Sequence, residues 1–342
     1  MSENEIRMPD TSRLIVSSSP HFHTTDSVSK IMLWVIAALL PVTAVSVWHY
    51  GLPALEVIFF CTAGCVAVEV LCARLMRRPI EINDGSALVT GLLLGLNLPP
   101  GTPIWICLVG ALLAIGLGKM VFGGIGCNPF NPAIVGRVGL LIAFPQTMNT
   151  WMTGPDAYTT ATPLKMLSDA HLAGQEGATN AMSEMLSQVS YGDWLLLNQH
   201  GGSIGEISAL ALVLGGILLI ALNIIRWQIP FFYILTVAVF TGLAWLSDSS
   251  LYAPPQYHLL SGGLLLGAFF MATDMVTSPV SRTGAIVFAI GCGIITCVIR
   301  LWGSYPEGVS FAILIMNALT PLIDRMTAGK PFGAPKKKGL KL

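Results

Sequence analysis

Ten apolar stretches run along this chain, separated by short polar or Gly/Pro-rich joints, at residues 31–49, 54–73, 86–98, 103–121, 131–145, 207–225, 229–247, 259–273, 284–302 and 308–323. Their length and unbroken hydrophobicity predict membrane helices rather than the one-sided stripes of soluble helices. Two are too short to cross about 30 Å of hydrocarbon as plain helices. These are 86–98, "SALVTGLLLGLNL", and 259–273, "LLSGGLLLGAFFMAT". Each is the third stretch in a set of five, and each contains GLLLG, at 91–95 and 263–267. Five crossings per set make the second set run inverted relative to the first. Short glycine-rich segments at matching places in inverted halves point to a functional centre near the bilayer midplane. The predicted fold is therefore an all-α polytopic membrane protein, with ten segments in two inverted five-helix repeats.

Composition agrees with this pattern. Of 342 residues 54% are hydrophobic and 11% charged, with a mean hydropathy of +0.71, whereas a soluble domain carries about a quarter charged residues. A net charge of zero argues against nucleic acid as a partner. The first thirty residues lack the basic-then-apolar pattern of a cleaved signal.

The positive residues set the orientation. Arg7, Arg13, Lys30, Arg74, Arg77, Arg78, Lys119, Arg137, Arg226, Arg282 and the cluster from Arg325 to Lys341 all fall on one side of a ten-span path. The opposite loops hold Lys165, with Arg300 near that face. Both termini are then cytoplasmic and the long polar segment is outside. The resulting division is a cytoplasmic N-terminal segment at 1–30, a first membrane repeat at 31–145, an extracytoplasmic loop at 146–206, a second repeat at 207–323 and a basic cytoplasmic tail at 324–342.

Candidate chemistry is sparse. No Ser-His-Asp set, metal-ligand spacing or phosphate loop is present, so no catalytic or metal residue is predicted. The six histidines fall in tails or loops. Cys61, Cys65 and Cys72 share a helical face, with small residues packing between helices as the plainer explanation. Polar stretches that interrupt the apolar background are "EINDGSALVTG", "GGIGCNPFNPAIVGRVG", "FFMATDMVTSPVSRTGA" and "IRLWGSYPEGVSFAILIMNALTPLID". Asn128, Asn131 and Arg137 place polar groups beside the membrane, where Pro129 and Pro132 break the helix. Asp274, with Thr273, Thr277 and Ser278 beside it, ends the short eighth stretch and is a candidate for an ion pathway. The alternative is helix capping, for Asp274 and Asp84 alike.

Within the outer loop, "DAYTTATPL" at 156–164 offers four hydroxyls, an acid and a proline. Pro163 biases Thr162 toward an extended backbone.

Together these stretches resemble the RnfD family of Rnf electron-transport complexes, whose paralogue is NqrB of the sodium-pumping NADH:quinone oxidoreductase. The residues carrying the resemblance are "SSSPHFHTTDSVSKIM", "NDGSALVTGLLLGLNLPP", "GGIGCNPFNPAIVGRVGL", "FMATDMVTSP" and "YPEGVSFAILIMNALTPLID", so it covers nearly the whole chain. The resemblance implies a urea-transporter-like fold of two inverted halves. It also implies FMN joined through its phosphate to a threonine hydroxyl by a dedicated flavin transferase. That enzyme reads an Asp, then Ser or Thr, a small residue and Ala-Thr. The matching residues are Asp156, Thr159, Thr160, Ala161 and Thr162, which makes Thr162 the acceptor. Thr160 stands where the family most often has glycine.

The implied activity is relay of electrons within a complex that couples ferredoxin and NAD to movement of Na⁺ or H⁺. Its partners would be the other Rnf subunits in the membrane, in the periplasm and on the ferredoxin/NADH side, together with the transferase and membrane lipid. The implied location is the bacterial inner membrane. Riboflavin belongs to the membrane part of the paralogue, and the resemblance extends a non-covalent riboflavin to this chain without assigning its residues. An NqrB-type subunit is the nearer alternative reading, although NqrB usually has a longer N-terminal region. A urea-transporter-like solute channel is the further one, and it gives the threonine motif no purpose.

Overall fold

A computed structural model describes residues 27–79, 82–152, 159–160, 164, 202–249, 252–303, 305 and 307–329. Asp156, Ala161 and Thr162 lie outside the described residues, as do the first 26 residues and the chain after 329.

A helical element falls within each of the ten apolar stretches. The first half comprises α1 (Val28–Tyr50), α2 (Leu52–Leu75), α3 (Ser86–Leu96), α4 (Ile104–Met120) and α5 (Pro132–Ala143). Two short strands follow, β1 (Trp151–Met152) and β2 (Thr159–Thr160). The second half comprises α6 (Ala209–Ala221), α7 (Gln228–Ser247), α8 (Pro255–Leu260), α9 (Leu264–Leu266, continuing in π-helical turns Gly267–Met271), α10 (Arg282–Trp302) and α11 (Val309–Thr327). Among the described residues, α1, α2, α7, α10 and α11 are long and apolar enough to cross a membrane. The protein is a multi-pass membrane protein of mostly helical structure.

Local sequence explains the boundaries. Asn131 caps α5, its Oδ1 accepting from the backbone N–H of Ala133 (3.0 Å) and Ile134 (3.4 Å), and Pro132 takes the first helical position, where its missing N–H costs nothing. Ser281 caps α10, its Oγ accepting from Gly284 N at 2.8 Å. The second half of α4, Leu112–Met120, widens into π-helical turns.

Packing repeats across the two sets. In the first set α2 packs on α3 and α4, and α4 on α5; in the second, α7 packs on α8 and α10, and α10 on α11. The sets meet where α1 lies on α6 and α5 on α11.

The repeated GLLLG does two different jobs. In α3, a Cβ at Gly91 would lie 2.5 Å from Thr62 Cα, and one at Gly95 would lie 3.0 Å from Ile58 Cα. Both glycines therefore let α3 lie backbone to backbone on α2. Gly263, by contrast, has φ +58° and begins α9. Its structural counterpart is Gly85, φ +75°, which begins α3. The predicted single short segment at 259–273 is broken at Ser261–Gly263, with α8 before it.

Candidate functional site

Each short third helix starts at a left-handed glycine, and a cation from the fourth long element reaches that start. In the first half Lys119, in the last turn of α4, donates to Ser86 Oγ at 2.6 Å and Glu69 Oε1 at 2.7 Å. Asp84 completes this group, accepting from Ser86 N (3.0 Å) and Ser86 Oγ (2.7 Å). Asp84 is thus a cap, as the plainer reading expected.

In the second half Arg300, in the last turn of α10, donates to three carbonyls: His258 O (2.6 Å), Ser261 O (3.1 Å) and Gly262 O (2.6 Å). A planar guanidinium fork suits this task, since it binds several acceptors without leaving the plane. Gly262 (φ +71°) and Gly263 supply consecutive left-handed residues that turn those carbonyls toward it.

Glu206, in a 3₁₀ turn at Ile204–Glu206, lies against the same break. Its Oε1 accepts from Ser203 Oγ at 2.6 Å and its Oε2 from Gly262 N at 3.1 Å. Burial and the nearby Glu307 carboxylate push it from an ordinary 4.5 up to about 7, against the pull of Ser203, Arg137 and Arg300. His258 is buried with neither ring nitrogen partnered among the described residues. Burial and Arg300 lower it to about 3, so it stays neutral.

Arg137 forms a second buried ion pair. It is 2% exposed, bonds Glu307 Oε2 at 2.9 Å, and its guanidinium carbon lies 5.7 Å from the centre of the Trp151 ring. Trp151 belongs to β1, which pairs with β2 in the register Trp151↔Thr160 and Met152↔Thr159. Thr159 and Thr160 of the predicted acceptor motif are therefore strapped beside Arg137.

Between the start of α3 and the end of α9 is a cavity of about 380 Å³. Its wall is largely apolar, with Ser86, Thr90, Lys119, Asn128, Asn131, Thr273 and Asp274 as the polar part. The Asn131 amide donates to Met271 O at 3.1 Å, and the Asn97 amide contacts Met271 Sδ at 3.4 Å, so the first half holds the end of α9 at two points. Asp274 accepts from Thr277 Oγ1 (3.1 Å) and Val276 N (3.4 Å), and burial raises its carboxyl. These bonds fit a turn-forming aspartate, yet the carboxylate also borders the cavity. The sequence singled out Asn128 and Asn131 in one stretch and Asp274 in another, and the cavity wall includes all three. The sequence reading missed Glu69, Glu206 and Glu307, whose partners lie 50 to 170 residues away. It also put every histidine in tails or loops, whereas His49 ends α1 and His258 sits in α8. The seven cysteines are free thiols, and among the described residues no cluster could hold a metal ion.

Residues 15–333 match the NQR2, RnfD, RnfE family. The chain is 45% identical over 327 residues to the D subunit of the Na⁺-translocating ferredoxin:NAD⁺ oxidoreductase complex of Acetobacterium woodii, covering 95% of this chain and 97% of that one. It is 44% identical to the D subunit of the proton-translocating ferredoxin:NAD⁺ oxidoreductase complex of Clostridium ljungdahlii, covering 93% and 96%. It is 35% identical to the D subunit of the ion-translocating oxidoreductase complex of Escherichia fergusonii, covering 94% and 99%.

Proposed function

Because this chain belongs to the NQR2, RnfD, RnfE family, whose members named above are parts of ion-translocating oxidoreductase complexes, we propose that it is the RnfD membrane component of an Rnf-type complex and carries a covalent FMN on Thr162. The observation that carries the flavin assignment is the motif itself. Asp156, Thr159, Thr160, Ala161 and Thr162 occur in the segment that the positive charges leave on the outer face. β2 ties Thr159 and Thr160 to the membrane body through Trp151. Flavin supplies electron transfer, and the chain supplies position, charge and shielding.

The cavity beside Asp274 suits a second, non-covalent flavin such as riboflavin. Its volume falls within the roughly 300–1,000 Å³ of ligand pockets. Its mix of apolar walls with amide, hydroxyl and carboxyl groups matches a flat apolar ring bearing polar edges and a polyol. Asn128, Asn131, Thr273 and Asp274 would hold the polar groups, and Phe269 and Phe270 would flank the ring.

In this reading the ten helical elements are ten segments in two inverted repeats of a urea-transporter-like fold, with both termini on the cytoplasmic face of the inner membrane. Support comes from the left-handed glycine and last-turn cation at the start of α3 and again of α9. The other Rnf subunits and the flavin transferase are the partners. Asp274 and its turn serve the movement of Na⁺ or H⁺.

The test is a denaturing gel viewed under ultraviolet light, on which a covalently held flavin stays with its protein band. Thr162→Ala should abolish the fluorescent band while the protein remains, and Thr159→Ala should keep at least part of it. Fluorescence that persists in Thr162→Ala refutes the assignment and directs attention to Thr160.

A further inference from the structure

Trp151 and Leu164 are among the buried apolar side chains that stand apart from the main apolar core. They bracket the acceptor motif. Trp151 faces Thr160 across the β1–β2 pair, two residues before Thr162. Leu164 follows Thr162 by two residues and is 5% exposed.

Leu164 owes that burial to a notch made by a missing side chain. A Cβ at Gly262 would overlap Leu164 Cδ1 and would come within 2.8 Å of the Arg300 guanidinium. The Leu164 methyl thus occupies the space that glycine leaves open, over the break between α8 and α9. The floor of the notch is rigid, because Arg300 holds the Gly262 and Ser261 carbonyls and Glu206 accepts from the Gly262 N–H.

From this geometry we propose that Leu164 is a positioning residue for the outer flavin, a plug that registers the acceptor segment on the α8–α9 break. The proposal rests on the reading of Thr162 as the acceptor. Thr162 is two positions from the paired Thr160 and two from Leu164, and a chain spans at most about 3.6 Å per residue. Anchors on both sides restrict where the tether can place its cofactor. One anchor alone leaves the segment free to swing about the β1–β2 pair. The anchor also fixes the flavin's position relative to the break that Glu206 and Arg300 stabilise.

The experiment uses the assembled complex with Leu164→Ala, Leu164→Val and Leu164→Ile. Three quantities are read: the fluorescent band on a denaturing gel, the fluorescence anisotropy of the native protein's flavin, and the rate of electron transfer from reduced ferredoxin to NAD⁺. The transferase needs only an accessible segment, so Leu164→Ala should keep its fluorescent band. Its anisotropy should fall, and electron transfer should slow about tenfold, less than the ~100-fold that an ångström of misplacement can cost at a reacting centre. Leu164→Ile, which refills the notch, should stay within about twofold of the unaltered complex. Should Leu164→Ala reduce the amount of protein, Leu164→Val should show the same changes in smaller degree. Unchanged anisotropy and rate in a flavin-loaded variant would overturn the proposal. A missing fluorescent band in the unaltered protein would instead remove the premise, and the plug with it.

Discussion

The Arg137–Glu307 pair gives the sharpest test of how the segment around Trp151 is held to the helices. Arg137 is 2% exposed and Glu307 14%, at 2.9 Å, so neither charge is well solvated. Removing one member of a buried pair leaves the other uncompensated, which costs about 3–5 kcal/mol. Glu307 keeps some contact with water, so the lower end applies. Glu307→Gln should destabilise by about 3 kcal/mol, since the remaining guanidinium keeps a weak contact to Met148 Sδ at 3.5 Å and the Trp151 ring, the latter worth roughly 1 kcal/mol. Arg137→Met should cost about 3 kcal/mol by stranding the carboxylate. Once the partner charge is gone, removing the second one should cost little more. The double variant should therefore lie near either single, giving a coupling of about 3 kcal/mol, the upper end for residues in contact. The assay is denaturant unfolding of the detergent-solubilised protein, followed by tryptophan fluorescence, for which Trp151 is a local reporter. Single costs that simply add would show that the two side chains do not support one another, and the reasoning would fail.

Two further outcomes follow from the buried acids. Glu206 has its proton affinity raised in the folded state, so its contribution is present below about pH 4.5 and is lost as pH rises through about 7. Unfolding midpoints of the unaltered protein should fall between pH 5 and pH 8, and Glu206→Gln should flatten that slope; parallel curves would contradict the assignment. Asp274→Asn should leave flavin attached but lower ion movement per electron in membrane vesicles, and normal coupling at normal protein level would make Asp274 a turn residue only.

The sequence carried the helices well, because long apolar runs in a membrane protein have few alternatives. It carried the Asp84 cap too, which acts two residues away, where spacing is informative. Long-range charge partners were hidden. Lys119 and Arg137 were read as orientation signals, yet both are turned inward onto Glu69 and Glu307. Hydropathy counts a lysine the same whether it reaches for water or for a buried carboxylate 50 residues away. The GLLLG repeat misled in the opposite way, because identical letters sit at non-equivalent places. Backbone conformation, which relates Gly85 to Gly263, leaves little trace in the local sequence beyond the glycine itself. The notch filled by Leu164 could not be foreseen, because it is defined by an atom that Gly262 lacks.

The turn at Ile204–Glu206 joins the far end of α3 to the break between α8 and α9. Ile204 N–H donates to Leu98 O at 3.1 Å, Ser46 Oγ donates to Ile204 O at 2.6 Å, and Gly205 is pressed against Leu96 and Leu266. It works as a keystone. Rocking one half against the other, as transporters do when they alternate access, would have to open all of these contacts together, and each hydrogen bond alone is worth about 1 kcal/mol. These contacts brace the two halves against one another at this turn.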